Sequence, residues 1–159
     1  MQLRVVAVGK IKETFLQEGI AEYTKRLQPY ANLRITELAE EKRPKAVSPA
    51  NEAAALQKEG ERILDAIPGG SLVVALEING QGWTSMDLAD AFRVWELAGR
   101  NPVVFVIGGD LGLSPDVLAR SDLRLSLSRM TFTHPMARLV LLEQVYRAFR
   151  ILRGEPYHK

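Results

Sequence analysis

Short runs of Val, Ile and Leu alternate along this chain with longer segments whose apolar residues recur at helical spacing. The apolar runs predict five β-strands, at 3–9, 33–38, 71–78, 102–109 and 123–128. The third and fourth runs are almost continuously apolar, as is typical of strands that are covered on both faces. The segments between the strands predict helices at 13–27, 49–66, 84–98 and 114–121, and a long last helix at about 135–153.

Helix-start signals support three of these helices. Ser48 and Ser114 each precede a proline, and a capping hydroxyl before a proline at the first helical position is typical of a helix start. Thr84, with Asp87 three residues later, resembles a capping box. These signals place the second, third and fourth helices more firmly than the apolar spacing alone.

The regular alternation of strand and helix predicts the fold class. It indicates an α/β fold with a mainly parallel sheet flanked by helices. The composition, 47% hydrophobic and 25% charged, is that of a globular protein. Because there is no internal repeat and only one long polar connection, at 40–49, we expect residues 1–159 to form a single domain.

The last predicted helix is apolar around more of its surface than one face of a sheet covers. At 100° per residue, one arc of about half the circumference is apolar. This arc contains Ala137, Leu141, Leu142, Val145, Tyr146, Ala148, Phe149 and Leu152. Further apolar residues lie among the polar ones, so we expect a homodimer that buries residues 135–153. Glu143 and Arg147 are four residues apart and are expected to pair.

Composition excludes several classes of protein. Cysteine is absent and only two histidines are present, far apart, which rules out a disulfide framework and argues against a zinc centre, so we expect no metal. No apolar run approaches the roughly 18 residues of a membrane span, and the first residues do not form a secretory signal. We therefore expect a soluble cytoplasmic protein.

The basic charge is concentrated near the end of the chain. Residues 120–159 contain eight Lys and Arg residues and three acidic ones. A localised basic surface on a near-neutral body suggests contact with a polyanion such as nucleic acid. A solvated helix face explains the same charge equally well.

The stretch "VVFVIGGDLGLSP" (103–115) is the first candidate ligand site. In open α/β sheets, ligands bind beyond the carboxyl ends of the strands, and glycines there let a ligand approach the backbone. A tight strand-to-helix turn would use the same glycines. The stretch has no Gly-Lys-Ser/Thr of a P-loop, and no GxGxxG fingerprint follows the first strand.

Short hydroxyl side chains cluster after the fifth predicted strand. Ser126, Ser128, Thr131 and Thr133 lie among apolar residues, just before His134. Such a wall suits an uncharged purine better than a phosphate. The alternative is that the hydroxyls serve local turns and caps. His134, next to a helix-starting proline, is more typical of a cap than of a catalytic base.

Three sequence blocks near the end carry a family resemblance: "FVIGGDLGLSP", "LSLSRMTFTHPMARLVLLEQVYRA" and the terminal "GEPYHK". Together they resemble the SPOUT-class ribosomal RNA large subunit methyltransferase H family, which N3-methylates a pseudouridine in 23S ribosomal RNA. The likeness extends to "RVVAVGK" near the start and to "KEGERIL" at 58–64. It implies S-adenosylmethionine as methyl donor, a trefoil knot in the C-terminal half, a homodimer, and action on ribosomal RNA within the ribosome.

The resemblance also implies which residues form the site. The family's cofactor contacts fall on Leu76, Gly108, Gly109, Leu127, Ser128, Arg129, Met130, Thr131 and Phe132. Its tail pattern is matched at Tyr157, His158 and Lys159. Arg129, Arg138, Arg147 and Lys159 are the basic residues expected to hold RNA phosphates.

Chemistry suggests roles for the tail. Methylation at N3 requires removal of a weakly acidic proton, and a histidine near neutral pKa suits this task, so His158 is the expected base. Tyr157 is expected to stack on or orient the target base. If two subunits join through the last helix, each tail can reach the partner's cofactor pocket.

Two other functions remain open on the sequence. One is an RNA-binding module that uses the basic end without catalysis. The other is a small-molecule α/β enzyme that uses the Gly108-Gly109 turn. Binding of S-adenosylmethionine discriminates among the three, because only the methyltransferase requires this ligand.

Overall fold

The computed structural model describes residues 1–157 and contains the ten predicted elements. They are β1 (Gln2–Val8), α1 (Thr14–Leu27), β2 (Asn32–Leu38), α2 (Pro49–Ala66), β3 (Leu72–Gly82), α3 (Ser85–Leu97), β4 (Val103–Ile107), α4 (Pro115–Arg120), β5 (Leu123–Ser126) and α5 (His134–Leu152). The predicted helix bounds agree within one residue. The largest difference is in β3, which continues four residues beyond the predicted end at 78.

The strands form one five-stranded sheet in the order β2-β1-β4-β3-β5, and each of these pairings is parallel. The register places Leu3 opposite Leu33 on one side and opposite Val103 on the other. β4 is therefore central, and all five of its residues are buried. The α/β fold with a parallel sheet flanked by helices is confirmed.

The added length of β3 comes from an irregularity in its pairing with β5. Leu76 and Gln81 both align with Leu125, so the four residues between them, 77–80, are looped out of the ladder. Gly80 touches the β5 backbone there: a Cβ on it would lie 2.7 Å from the Arg124 carbonyl carbon. The loop stands at the carboxyl end of the sheet, beside the segment that follows β5.

Two apolar cores lie on opposite faces of the sheet. One contains Val5, Val74 and Phe105 together with buried residues of α1, α3 and α5. The other contains Val6 and Val104 together with residues of α2 and α4. Successive side chains of a strand point to opposite faces, so an uninterrupted apolar run such as β4 supplies both cores.

The predicted helix starts are present. Ser48 Oγ accepts from the Asn51 amide at 3.1 Å, and Ser114 Oγ accepts from the Val117 amide at 3.3 Å. Thr84 and Asp87 form a reciprocal capping box. In the part of the chain that the structure describes, no helix is long and apolar enough to cross a membrane.

α5 obtains its extra burial from its own chain. Leu142 is fully buried and Phe149 is 6% exposed, both in the core shared with α1 and α3. Leu139 packs against α1, where a Cβ on Gly19 would lie 3.0 Å from it. α1 and α3 thus cover the buried part of this apolar arc, which by itself does not require a second subunit. The homodimer stays a prediction.

Candidate functional site

A cavity of about 670 Å³ opens at the carboxyl ends of β3, β4 and β5. Its walls come from the loop at 76–79, from the connection at 107–113, from the segment after β5, and from the first turn of α5. The volume lies in the range of small-molecule sites, and the position is the one that α/β sheets commonly use for ligands.

Eight of the nine residues expected to contact the cofactor line this cavity: Leu76, Gly108, Gly109, Leu127, Ser128, Met130, Thr131 and Phe132. They come from three separate parts of the chain, which the sheet order brings together. The ninth, Arg129, is exposed and lies outside the cavity lining. Its guanidinium is thus available to solvent rather than to a ligand inside the cavity.

The backbone of the turn at 108–112 requires glycine, because two of its segments approach each other closely. A Cβ on Gly108 would lie 2.2 Å from the carbonyl oxygen of Gly112, closer than real atoms approach. Gly112 has a φ of +80° and donates its amide to the Gly109 carbonyl at 3.0 Å. The tight-turn interpretation is therefore correct for these glycines, and the same turn leaves bare backbone as part of the cavity wall.

Two of the predicted hydroxyls shape the segment after β5. Ser126 Oγ donates to the Ser128 carbonyl at 2.9 Å, and Ser128 Oγ accepts from the Met130 amide at 2.9 Å. The turn-forming alternative is therefore right for these two serines. Thr131 and Thr133 line the cavity.

The cavity wall is largely apolar and offers backbone groups for specificity. Leu125 is buried in its floor, whereas Ile78, Met130 and Phe132 are among the exposed apolar side chains at its lining. No Lys or Arg of the described chain lines it. Apolar walls beside exposed backbone suit an uncharged purine and the aliphatic part of a methionine chain, so the residues present are compatible with S-adenosylmethionine.

His134 lines the same cavity and lies beside two acidic residues, Glu40 and Asp110, that no sequence pattern groups with it. Its Nε2 lies 3.7 Å from Glu40 Oε1, while its Nδ1 is buried with no hydrogen-bond partner among residues 1–157. Possible ligand atoms of Glu40, Asp110 and His134 lie within 4.8 Å of one another. This spacing would suit a cation, but both carboxylates are exposed.

Arg138 was expected to hold RNA, and the structure contradicts this. The side chain is only 2% exposed. It donates to Glu37 Oε2 at 2.5 Å and to the Gly9 carbonyl at 3.1 Å. A buried guanidinium already bonded to a carboxylate and a carbonyl cannot reach an RNA phosphate; it ties α5 to the carboxyl ends of β1 and β2.

Arg147 and Tyr157 lie together on the outer side of α5, away from the cavity lining. Arg147 pairs with Glu143, as predicted from their spacing. The Tyr157 hydroxyl donates to Glu143 Oε1 at 3.1 Å and lies 3.3 Å from the Tyr23 hydroxyl. The pKa of Tyr157 is raised above that of free tyrosine. The largest cause is burial, followed by the hydrogen bond with Tyr23 and the charge of Glu143. His158 and Lys159 lie outside the described residues.

The chain is similar to known proteins in family, in sequence and in fold. The family described as "Predicted SPOUT methyltransferase" matches residues 1–158. A Methanoregula boonei protein is 59% identical over 159 residues, with each chain fully covered. Proteins of Bacillus pumilus (54%) and Carboxydothermus hydrogenoformans (52%), also fully covered, are both named "Ribosomal RNA large subunit methyltransferase H".

One solved structure supports the fold alone. It is titled "The structure of a probable methylase family protein from Haemophilus influenzae Rd KW20" and superposes with a TM-score of 0.54. The identity is 16%, and the match covers 99% of this chain and 70% of the other.

Proposed function

Because the chain belongs to the SPOUT methyltransferase family, we propose that it transfers a methyl group from S-adenosylmethionine to N3 of a pseudouridine in 23S ribosomal RNA. Its relatives from Bacillus pumilus and Carboxydothermus hydrogenoformans carry a name that gives ribosomal RNA of the large subunit as the substrate. The structural observation that carries the proposal is the cavity at the carboxyl ends of β3, β4 and β5, which gathers eight expected cofactor residues from three parts of the chain.

The cavity residues suggest how the cofactor would be held. Leu76 and Leu127 would enclose the adenine, and the backbone of Gly108-Gly109 and of residues 127–132 would supply polar contacts. Bound there, S-adenosylmethionine supplies an electrophilic methyl group. The only ionisable side chains in the described lining are those of Glu77, Asp110 and His134, so the uncharged purine would be recognised mainly through apolar and backbone contacts.

Proton removal is assigned to His158. Its imidazole would accept the N3 proton as the methyl group is transferred, which a base of near-neutral pKa does efficiently at neutral pH. His134 is less suited to this role, since it is held at the start of α5 near Glu40. Replacing His158 with Ala is expected to lower the methyl-transfer rate by about 10²–10⁴-fold, whereas affinity for S-adenosylmethionine stays unchanged.

RNA would contact the exposed basic residues near the site. Arg129 is the best placed, because it is exposed and directly follows the cavity residue Ser128. Lys159 remains a proposed phosphate contact. Arg147 faces solvent in part but is paired with Glu143, so its contribution would depend on that pair. The proposal does not assign this role to Arg138, because its side chain is buried.

We also propose that the active form is a homodimer in which each tail serves the partner's cavity. Tyr157 docks beside Glu143, nine residues along α5 from His134, which corresponds to about 14 Å of helix. Two α5 helices packed antiparallel would place each tail near the other cavity. The half-buried Met136 and Val140 on α5 offer apolar surface for this contact.

Further features belong to the proposal. A trefoil knot in the C-terminal half and action on the assembled ribosome come from the family resemblance, whereas a single domain over residues 1–159 and a cytoplasmic location come from the sequence pattern and composition. A crystallographic chain trace would test the knot. Transfer of methyl label to free 23S RNA, isolated large subunits and whole ribosomes, each carrying uridine or pseudouridine, would test the substrate.

Mixing two inactive variants tests the shared site. One lacks residues 157–159, and the other carries Gly108→Val in the cofactor turn. If tail and cavity come from different subunits, each mixed dimer retains one complete site and activity returns. A mixture that stays inactive after subunit exchange has been verified would show that each tail serves its own cavity. Failure to bind S-adenosylmethionine in calorimetry would refute the proposed function itself.

A further inference from the structure

The chain after α5 is held residue by residue on the surface of α1 and α5. Glu155 forms an ion pair with Arg150 and accepts a hydrogen bond from the Tyr30 hydroxyl at 2.5 Å. The carbonyl of Pro156 accepts from Arg150 at 3.3 Å. These contacts join the tail to the loop after α1, more than a hundred residues away in sequence, and lead the chain directly to Tyr157.

Tyr157 is contacted on its ring and at its hydroxyl. The Arg147 guanidinium lies over the ring, 4.7 Å from its centroid. The Tyr146 ring meets it edge to face at 4.9 Å and 76°. The hydroxyl donates to Glu143, which leaves it free to accept from Tyr23. Glu143 is itself oriented by Gln144, whose amide donates to it at 2.7 Å.

This packing conflicts with the expectation that Tyr157 stacks on the target base. An aromatic ring that stacks on a nucleotide needs a free face, and one face of Tyr157 is covered by a guanidinium while a second ring abuts it. The hydroxyl is engaged as well. Each of these contacts would have to break before the ring could reach a substrate.

We propose that Tyr157 is a positioning residue: Tyr23 and Glu143 of its own subunit hold it in place, and this fixes the position of the residue that precedes His158. The proposal rests on the function proposed above, in which His158 accepts the N3 proton. Consecutive Cα atoms are about 3.8 Å apart, so an anchored Tyr157 limits the space that the next residue can sample. A base must lie within hydrogen-bond reach of its proton, so a fixed Tyr157 would narrow the range of positions from which His158 has to find it.

The protonation behaviour of Tyr157 provides a direct signal of the anchor. Burial, the Tyr23 hydrogen bond and the Glu143 charge all disfavour the phenolate, so the pKa of Tyr157 is raised. With tyrosines labelled with ¹³C at Cζ, the Tyr157 resonance should stay that of the neutral phenol at a pH where free tyrosine is half ionised. Tyr23→Phe should shift this titration towards ordinary pH. If Tyr157 titrates as a free tyrosine in the unaltered protein, the anchor does not exist.

Kinetics then test what the anchor does. Tyr157→Phe and Tyr23→Phe each remove the contact between the two hydroxyls and retain the rings. Each is expected to lower kcat by about 3- to 10-fold, the value of one or two hydrogen bonds, with KM for RNA and affinity for S-adenosylmethionine within about twofold. Because the two changes remove the same contact, the double variant should be little worse than the slower single variant.

Tyr146→Phe is the matched control. It removes a hydroxyl that has no hydrogen-bond partner within residues 1–157 and preserves the ring contact to Tyr157, so kcat should be unchanged. The pH profile separates positioning from general damage: loss of position lowers the plateau of kcat without moving the apparent pKa of the base. A stacking Tyr157 would instead leave kcat unchanged in both phenylalanine variants and raise KM for RNA in Tyr157→Ala.

The outcomes distinguish the two proposals. If the unaltered protein transfers no methyl group to any ribosomal RNA, the proposed function fails, and the positioning role fails with it. If the unaltered protein is active but Tyr23→Phe and Tyr157→Phe retain full kcat, the function stands and the positioning role is overturned. Reduced kcat in both variants, with a non-additive double variant and an unaffected Tyr146→Phe, supports the anchor.

Discussion

The burial of Arg138 allows a specific prediction about stability, because its partner Glu37 is more exposed than Arg138 itself. The Arg138 side chain is 2% exposed, whereas that of Glu37 is 39% exposed. Replacing Arg138 with Met leaves a carboxylate that water can solvate and one buried Gly9 carbonyl without its donor. We expect this to lower the free energy of unfolding by about 1–3 kcal/mol, the cost of an unsatisfied buried group.

Replacing Glu37 with Gln is expected to cost more. It leaves the Arg138 cation buried without a countercharge, and breaking a buried pair in this way costs about 3–5 kcal/mol. Gln retains an acceptor, so the lower end of this range is expected. For a chain of this size, about 3 kcal/mol corresponds to a fall in Tm of roughly 6–12 °C. The double variant should be close to Arg138→Met alone, because the buried charge is gone.

The assay combines urea denaturation, at one protein concentration to hold any dimer equilibrium fixed, with RNA binding at several salt concentrations. Arg138→Met should leave the salt dependence of RNA binding unchanged. The control Arg129→Ala should leave stability within about 0.5 kcal/mol and lower the salt slope by about one. If Arg138→Met instead retains stability and lowers the salt slope, Arg138 is an RNA contact and the reasoning from its burial is refuted.

Three further predictions follow from the packing. Gly108→Ala should abolish binding of S-adenosylmethionine in calorimetry, because its Cβ would clash with the Gly112 backbone and distort the cavity wall; unchanged affinity would contradict this. Leu142→Glu should unfold the subunit rather than give folded monomers, because Leu142 is fully buried in its own core; circular dichroism with sedimentation distinguishes the two. Hydrogen bonding to Glu155 raises the pKa of Tyr30. The contact should therefore persist through pH 10 and be lost only as the pH rises through the raised pKa of Tyr30. Tyrosine NMR resonances measure this titration, and ionisation of Tyr30 at the pH of free tyrosine would contradict the prediction.

The secondary structure could be predicted from the sequence because its signals are local. Apolar runs, proline positions and capping residues act within a few residues, and they located each helix within one residue of its observed bounds. The order of the strands is not local. Nothing in the alternation of elements places β5 beside β3 or requires β3 to loop out at 77–80 before pairing again. That loop forms part of the cavity, so this wall of the site was not predictable from residue patterns.

The same distinction between local and distant signals applies to the site residues. Those of the cavity were predictable from the family resemblance, and all of them except Leu76 lie in the quoted blocks. The role of Arg138 was mistaken because its partner, Glu37, is 101 residues away, and a basic residue on a helix gives no local sign of burial. Tyr157 is similar: its contact with Tyr23 spans 134 residues. Sequence position alone gives no sign of this contact.

α5 connects the cavity, the buried Arg138 and the anchor of Tyr157. Its first residue lines the cavity, Arg138 ties its first turns to β1 and β2, and Glu143 anchors Tyr157. A helix is stiff along this length, so a tilt at Arg138 would move the cavity wall and the tail anchor together. Loss of the Arg138 tie should therefore impair cofactor binding and methyl transfer as well as stability, whereas loss of the Tyr23 contact should affect methyl transfer alone. This difference separates the support of the helix from the positioning of the tail.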